Sequence, residues 1–417
     1  MAAAKSSNQT APWADLPVEM LDAVVQRLDF FSTRRLLGVC KSWATAVATN
    51  TALPLGSPCL LMSREDGGSE AYRGGDSDDD DDDDKKCWYR LLDRSRQEEH
   101  SFPAFIGAMR NRWWVGGKDD WLAIVDRRCK LQLVNPYTGH QVDLPALTTI
   151  PDVEIEDPWW VLHKGVGYTF SRTIVCKTPS RNGGDDDGRF LVITIIDLDL
   201  LAIARGGDER WTVLTNPGDP TLQNFYTDAV MHKGKICAIT ERGNVYAWDM
   251  SAGVCPDAKP EVVRPPHVEP IDLGDRYRWN LAESADGQCL LLAAIRCSSS
   301  PGPALRLFER DMDNAVTNPD GGGWRPVASL SDHSLFLGAN YPFLARLANR
   351  DSSEERELLR PNCVYFTEDD LSNSLWSDHV VEVFDLGADT YKLWHFDSIR
   401  QSCIWFRPTL KCYQRSS

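Results

Sequence analysis

Hydrophobic and polar positions alternate in two different periods along this chain. Near the start the period is helical. Leu21, Val24, Val25 and Leu28 recur at i, i+3, i+4 and i+7, one face of an α-helix. Asp15 suits its cap, and Pro17 suits its first turn, where a missing N–H costs nothing. Glu19 and Asp22 stand in the early turns, where a carboxylate favours the positive end of the helix dipole. Asp29 to Thr33 breaks the pattern. A second helix is predicted from about Thr33, with Leu36, Cys40, Trp43 and Val47 on its stripe and Arg34, Arg35 and Lys41 mostly off it. Gly38 inside that helix costs about 1 kcal/mol against Ala. Two such helices in about 40 residues bury too little surface to stand alone, so the unit must pack on the rest of the chain or on a partner.

From Cys87 onward the period is that of strands. Trp113-Trp114-Val115 leads to a Gly116-Gly117 turn, followed by the apolar runs 121–125 and 130–134. Asn135-Pro136-Tyr137-Thr138-Gly139 is a turn, and 141–145 closes the unit. The same texture recurs at 159–170 and 190–198, at 211–214, at 228–249 with turns at His232 to Lys235 and Arg242 to Asn244, at 282–330, and at 362–406. The repeat reads as apolar strand, Gly turn, apolar strand, turn, a third strand ending in an acid or amide, turn, and a Trp- or Tyr-led strand. The third strands end at Asn135, Asp197, Asp249, Glu309 and Asp385, spaced by 62, 52, 60 and 76 residues. Insertions at 181–188 and 314–323 account for most of the irregularity. Degenerate repeats of about four strands predict a β-propeller, whose blades bury a face only against their neighbours. A pair of irregular β-sandwiches is the alternative.

The expected fold class is therefore α+β multidomain: a small all-α helical unit, then a large all-β domain read as a β-propeller. The segments are a disordered N-terminus at 1–11, the helical unit at 12–50, and a connector with a first strand (Cys59 to Met62) at 51–62. A disordered Asp-rich loop follows at 63–86, then the propeller at 87–417. The loop contains seven consecutive Asp, 78–84, which supply seven of the formal net charge of −16. That composition cannot bury apolar surface. Ser77, followed by Asp, suits an acid-directed kinase. The run lacks the alternating ligands and Gly of a calcium loop.

The acidic balance and the lack of a basic stripe argue against nucleic-acid or anionic-membrane binding. The twelve Cys form no Cys-x-x-Cys, and many sit in apolar runs, as expected of reduced thiols inside a cell. The first residues lack a signal peptide's apolar core, and no stretch approaches the ~20 apolar residues of a membrane span. Cytoplasm, nucleus or both are expected. The eight His make no His-Glu-x-x-His, and there is no Gly-x-Ser-x-Gly, P-loop or Gly-x-Gly-x-x-Gly. No catalytic residue, metal or cofactor is expected. Asp378-His379 reads as a loop pair. Trp121, Trp211 and Trp324 read as blade packing, although Trp at loop tips can anchor a bound protein.

Two stretches carry a resemblance. Trp13-x-x-Leu16-Pro17-x-Glu19-x-Leu21, then Leu28, then Val39-Cys40-Lys41-Ser42-Trp43, resembles an F-box, with Ala44 where many F-boxes carry Arg. Asn362 to Thr367, Val383 to Leu386 and Ile404 to Leu410 resemble the end of a large plant F-box family with a C-terminal kelch-like domain. The chain lacks the signatures of WD40 and standard kelch repeats. The resemblance implies a non-catalytic substrate-recognition subunit of an SCF-type cullin–RING ubiquitin ligase. The F-box would dock on a Skp-type adaptor and, through it, a cullin, while the propeller would recruit a protein target. It implies that Leu16, Pro17, Leu21, Val25, Leu28, Val39, Cys40 and Trp43 form or support the adaptor-facing surface, some of them closing the unit's own core. Two alternatives are an adaptor-binding protein with a structural or regulatory role, and a propeller hydrolase or glycan-active enzyme with its site in the central channel.

Overall fold

A computed structural model describes residues 16–25, 28, 30–36, 39–49, 58–65, 87–93, 98–101, 112–126, 130–136, 139–150, 170–177, 190–196, 199–214, 225–251, 259–268, 276–297, 304–313, 323–347, 359–367, 380–395 and 403–407. The chain divides into a helical unit at its N-terminal end and a compact β unit over Pro58–Phe406.

The helical unit holds α1 (Val18–Val25), α2 (Phe30–Leu36) and α3 (Lys41–Thr49), with α1 and α2 each packed on α3. The Pro17 carbonyl accepts the first helical bonds of α1, from the N–H groups of Met20 and Leu21. The expected second helix is two helices. The chain leaves helix after Leu36 and re-enters it at Lys41, with Val39 in a turn and Cys40 outside regular structure. Asp15 and Gly38 lie outside the described residues.

The described residues of the β unit form six sheets. Its first strands, β1 (Cys59–Glu65), β2 (Cys87–Asp93) and β3 (Glu98–Ser101), belong to blade 1. Blade 2 is the meander β4 (Trp113–Lys118), β5 (Trp121–Val125), β6 (Leu131–Val134) and β7 (Gln141–Asp143). Blade 3 holds β8 (Phe170–Lys177), β9 (Leu191–Ile196), β10 (Leu200–Arg205) and β11 (Thr212–Val213). Blade 4 holds β12 (Tyr226–His232), β13 (Lys235–Thr240), β14 (Val245–Asp249) and β15 (Glu261–Val263). Blade 5 holds β16 (Arg276–Glu283), β17 (Leu290–Cys297), β18 (Ala304–Arg310) and β19 (Arg325–Pro326). Blade 6 has five strands in the order β21 (Phe343–Arg346), β20 (His333–Leu337), β22 (Cys363–Thr367), β23 (Val380–Asp385) and β24 (Thr390–His395). Within it β20 and β22 pair in parallel, whereas its other described strand pairs are antiparallel.

The last strand, β25 (Cys403–Phe406), completes blade 1 by pairing with β1, Leu60 opposite Trp405. Packing then runs from β25 to β4, β4 to β8, β8 to β12, β12 to β16, β16 to β21, and β22 back to β25, which closes a ring. The two ends of the unit share one sheet, so the seam is held by a strand ladder. At that seam Trp405, 2% exposed, packs edge-on to Phe336 with ring centroids 4.9 Å apart. Inner and middle strands such as β5, β6, β9 and β22 read as continuous buried runs, because the meander is covered on both faces by its neighbours.

Several expectations change here. Cys59 to Met62, expected as a first strand, is one, and Ser63 to Glu65, expected in the loop, continue it. The β unit therefore begins at Pro58 rather than at residue 87, and the Asp-rich stretch joins β1 to β2 within one blade. Gly116 and Gly117 form no turn; they lie in β4, with a bulge between Trp114 and Gly116, and the turn follows at Asp119-Asp120. A methyl built on Gly116 would fall 1.7 Å from the Thr173 carbonyl oxygen, so this glycine permits β4 to approach β8 across the blade boundary. Leu191–Ile196, read as a third strand, is the second of its blade. The remaining four third-strand readings fall on β6, β14, β18 and β23.

Candidate docking surfaces

The helical unit separates the expected adaptor-facing residues by burial. Leu21 and Val25 are 1% and 3% exposed and, with buried Thr33, form its interior. They sit on one face of α1 at i and i+4. Leu16, Leu28, Cys40 and Trp43 are half-buried, and Pro17 is exposed. Val39 is exposed, as are Met20 and Val24, two residues outside the expected set. Met20 and Val24 are one turn apart, and α1 presents them away from Leu21 and Val25. The one apolar stripe predicted for this helix is therefore two. A period of 3.6 places Leu21, Val24 and Val25 on one broad face, but only packing shows where that face is cut. Val39 is exposed because it stands in the turn between α2 and α3, its N–H donating to the Leu36 carbonyl. The free thiol of Cys40 is half-buried.

In the ring, the inner strands carry polar groups toward the centre. Arg172 on β8 pairs with Asp228 on β12 at 3.3 Å, with side chains 3% and 0% exposed. Asp228 also accepts hydrogen bonds from the backbone N–H groups of Ala229 (2.7 Å) and Leu281 (3.0 Å) and from Asn280 Nδ2. Burial pushes its carboxyl upward, against the pull of the Arg172 guanidinium and these donors. Such a pair is costly to break, because removing one partner leaves a buried charge. On the same strands His232 is fully buried, its Nδ1 3.2 Å from a Glu283 oxygen. Buried thiols, Cys176 and Cys237, are pushed up to about 12 by burial.

The Trp expected to pack blades do so. Trp121 and Trp211 are buried, and Trp211 Nε1 donates to the Pro145 carbonyl at 2.8 Å, which ties blade 3 to the tail of blade 2. Trp324 is half-buried and donates to the Arg264 carbonyl. Among the described residues, no group of three or more His, Cys, Asp or Glu is placed to hold a metal ion. No described helix is long and apolar enough to cross a membrane. Ser77, Asp78–84, Asp378 and His379 lie outside the described residues.

A small unit of three helices ahead of a closed β-ring in the sequence is the make-up of an F-box protein with a β-propeller. The F-box domain matches residues 13–51, and the KIB1-4 beta-propeller matches 89–385. The second match covers more than half of the chain, which belongs to the KIB1-4 beta-propeller family. Its relatives in Arabidopsis thaliana are F-box proteins. F-box protein KIB4 is 22% identical over 270 residues, 62% of this chain and 60% of that protein. F-box protein At5g25290 is 20% identical across 95% of this chain and 97% of its own length. F-box protein At1g69090 is 23% identical across 96% and 92%. The chain thus spans about three-fifths of KIB4 and nearly all of the other two.

Proposed function

We propose that this protein is the target-recognition subunit of an SCF-type cullin–RING ubiquitin ligase. The helical unit docks on a Skp-type adaptor, and the propeller holds a protein target near the charged ubiquitin-conjugating enzyme. Its contribution is proximity: a tethered target sees a raised effective concentration of the conjugating enzyme. The protein itself contributes no reacting group. The observation that carries this reading is the exposure of the apolar side chains of Met20, Val24 and Val39 on a helical unit that matches the F-box domain. An adaptor would bury them, with Pro17, Leu16, Leu28, Cys40 and Trp43 at or behind the contact. Leu21 and Val25 support that surface from within. A cytoplasmic or nuclear location goes with the reading, and imaging a tagged chain in plant cells would test it.

The test is co-purification of the full chain with a Skp-type adaptor and a cullin, followed by a ubiquitylation reaction on proteins captured by the propeller. Capture of both subunits with cullin-dependent transfer supports the reading. Adaptor binding without cullin-dependent transfer would leave a non-ligase adaptor protein. Failure to bind the adaptor would remove the reading altogether.

A further inference from the structure

Blade 6 adjoins blades 5 and 1 in the ring, yet its β20–β21 connection bonds to blades 2, 3 and 4. Asn340 forms a parallel bridge with Gly117 of β4, and the Tyr341 N–H donates to the Gly117 carbonyl. Arg172 of β8 donates to the carbonyls of Gly338 and Asn340. The Tyr341 hydroxyl reaches β12, accepting from the Met231 N–H at 3.2 Å and donating to the Met231 carbonyl at 3.1 Å. Above the Tyr341 ring, at 3.6 Å, lies the Lys118 ammonium, which also donates to the Cys176 carbonyl. A segment that reaches three blades not adjoining its own must cross the axis of the ring.

We infer that residues 338–341 are an internal strap that makes the inner strands of blades 2, 3, 4 and 6 open as one unit. A ring sealed only at the β25–β1 ladder is a row of blades, each stabilised by its neighbours, and such rows loosen locally. The strap adds bonds between blades that have no shared boundary. Its backbone path is constrained: Gly338 has φ 141°, and a methyl there would fall 1.8 Å from Thr367 Oγ1. Asn340 and Tyr341 are 1% and 7% exposed, so water does not substitute for these bonds. The strap also explains the fifth strand of blade 6. A chain that leaves the blade to cross the centre returns as β21, and β20 is left beside β22 in parallel.

Hydrogen exchange on the full chain, read by mass spectrometry, tests this. Tyr341→Phe keeps the ring and removes the hydroxyl that holds Met231. It should raise exchange together in β4, β8, β12 and β21 by about fivefold, since a buried hydrogen bond contributes about 1 kcal/mol and 1.4 kcal/mol is one decade. Lys118→Met should raise the same set. Val381→Ala, on buried β23 of blade 6, serves as the comparison and should loosen blade 6 alone. If Tyr341→Phe changes only blade 6, matches the Val381→Ala pattern, or changes nothing, the strap does not couple the blades.

Discussion

Serine at Met20, Val24 and Val39 together should cost adaptor binding and little else. These side chains are 58%, 36% and 56% exposed. Fully burying such a side chain is worth about 1.5–3 kcal/mol, so covering their exposed fractions is worth roughly 3 kcal/mol in all. Losing that contribution weakens Kd about a hundredfold. Exposed positions away from special features change stability by only about 0.5 kcal/mol each, so the helices should persist. Leu21→Ala should behave in the opposite way. Its side chain is 1% exposed, and its loss costs about 2–5 kcal/mol of the helical unit's stability. The assay is calorimetric titration of a Skp-type adaptor into each full-length variant, with the melting of the helical signal followed in parallel. Triple-serine binding within threefold of the parent would refute the assignment of these three side chains. So would a Leu21→Ala protein that loses binding while its helices melt unchanged.

Gly116→Ala should disrupt the boundary between blades 2 and 3, because its methyl meets the Thr173 carbonyl at 1.7 Å. A loss of at least about 2 kcal/mol in urea unfolding is expected, against about 1 kcal/mol for Gly207→Ala, whose turn is open and where only the positive φ opposes a methyl. Trp211→Phe removes the donor to the Pro145 carbonyl and should cost about 1–3 kcal/mol, read the same way. Alkali should destabilise the ring. Cys176 and Cys237 are pushed up to about 12 and Cys363 to about 11, from an ordinary 9.0. The folded state keeps protons that the unfolded chain loses, so stability falls as pH climbs from 9 toward 11, by up to about 1.4 kcal/mol per pH unit for each thiol. Urea midpoints at pH 8, 9 and 10 should show this slope, and the Cys176→Ala, Cys237→Ala double variant should flatten it.

The local chemistry of this chain was readable from its sequence wherever one residue type settles one conformation. Pro17 opens α1 where its missing N–H is harmless. Lys233-Gly234 turns β12 into β13, and Arg242-Gly243 turns β13 into β14, both glycines at positive φ. The readings failed where two explanations share a pattern. Leu36, Cys40 and Trp43 keep helical phase across a short break, so periodicity alone runs α2 and α3 together. A pair of glycines marks a tight turn or a close backbone approach, and at 116–117 it is the approach.

The ring itself depends on pairings that no local pattern contains. Cys59–Glu65 is an ordinary apolar run until Leu60 is set opposite Trp405, 345 residues away in number and adjacent in the sheet. Arg172, Asp228 and Asn280 look like polar interruptions in three apolar strands. Only closure of the ring brings them together as one paired, hydrogen-bonded group around a carboxylate that water no longer reaches. The run Leu335-Phe336-Leu337-Gly338 gives no hint that the chain then crosses to blades 2, 3 and 4. A buried charge in an inner strand was the available signal. Charges are seldom left unpaired in a core, so Arg172 and Asp228 each called for a partner from another blade. Those partners come from elements far apart in sequence, and the centre of this ring is held by side chains that local pattern treats as exceptions.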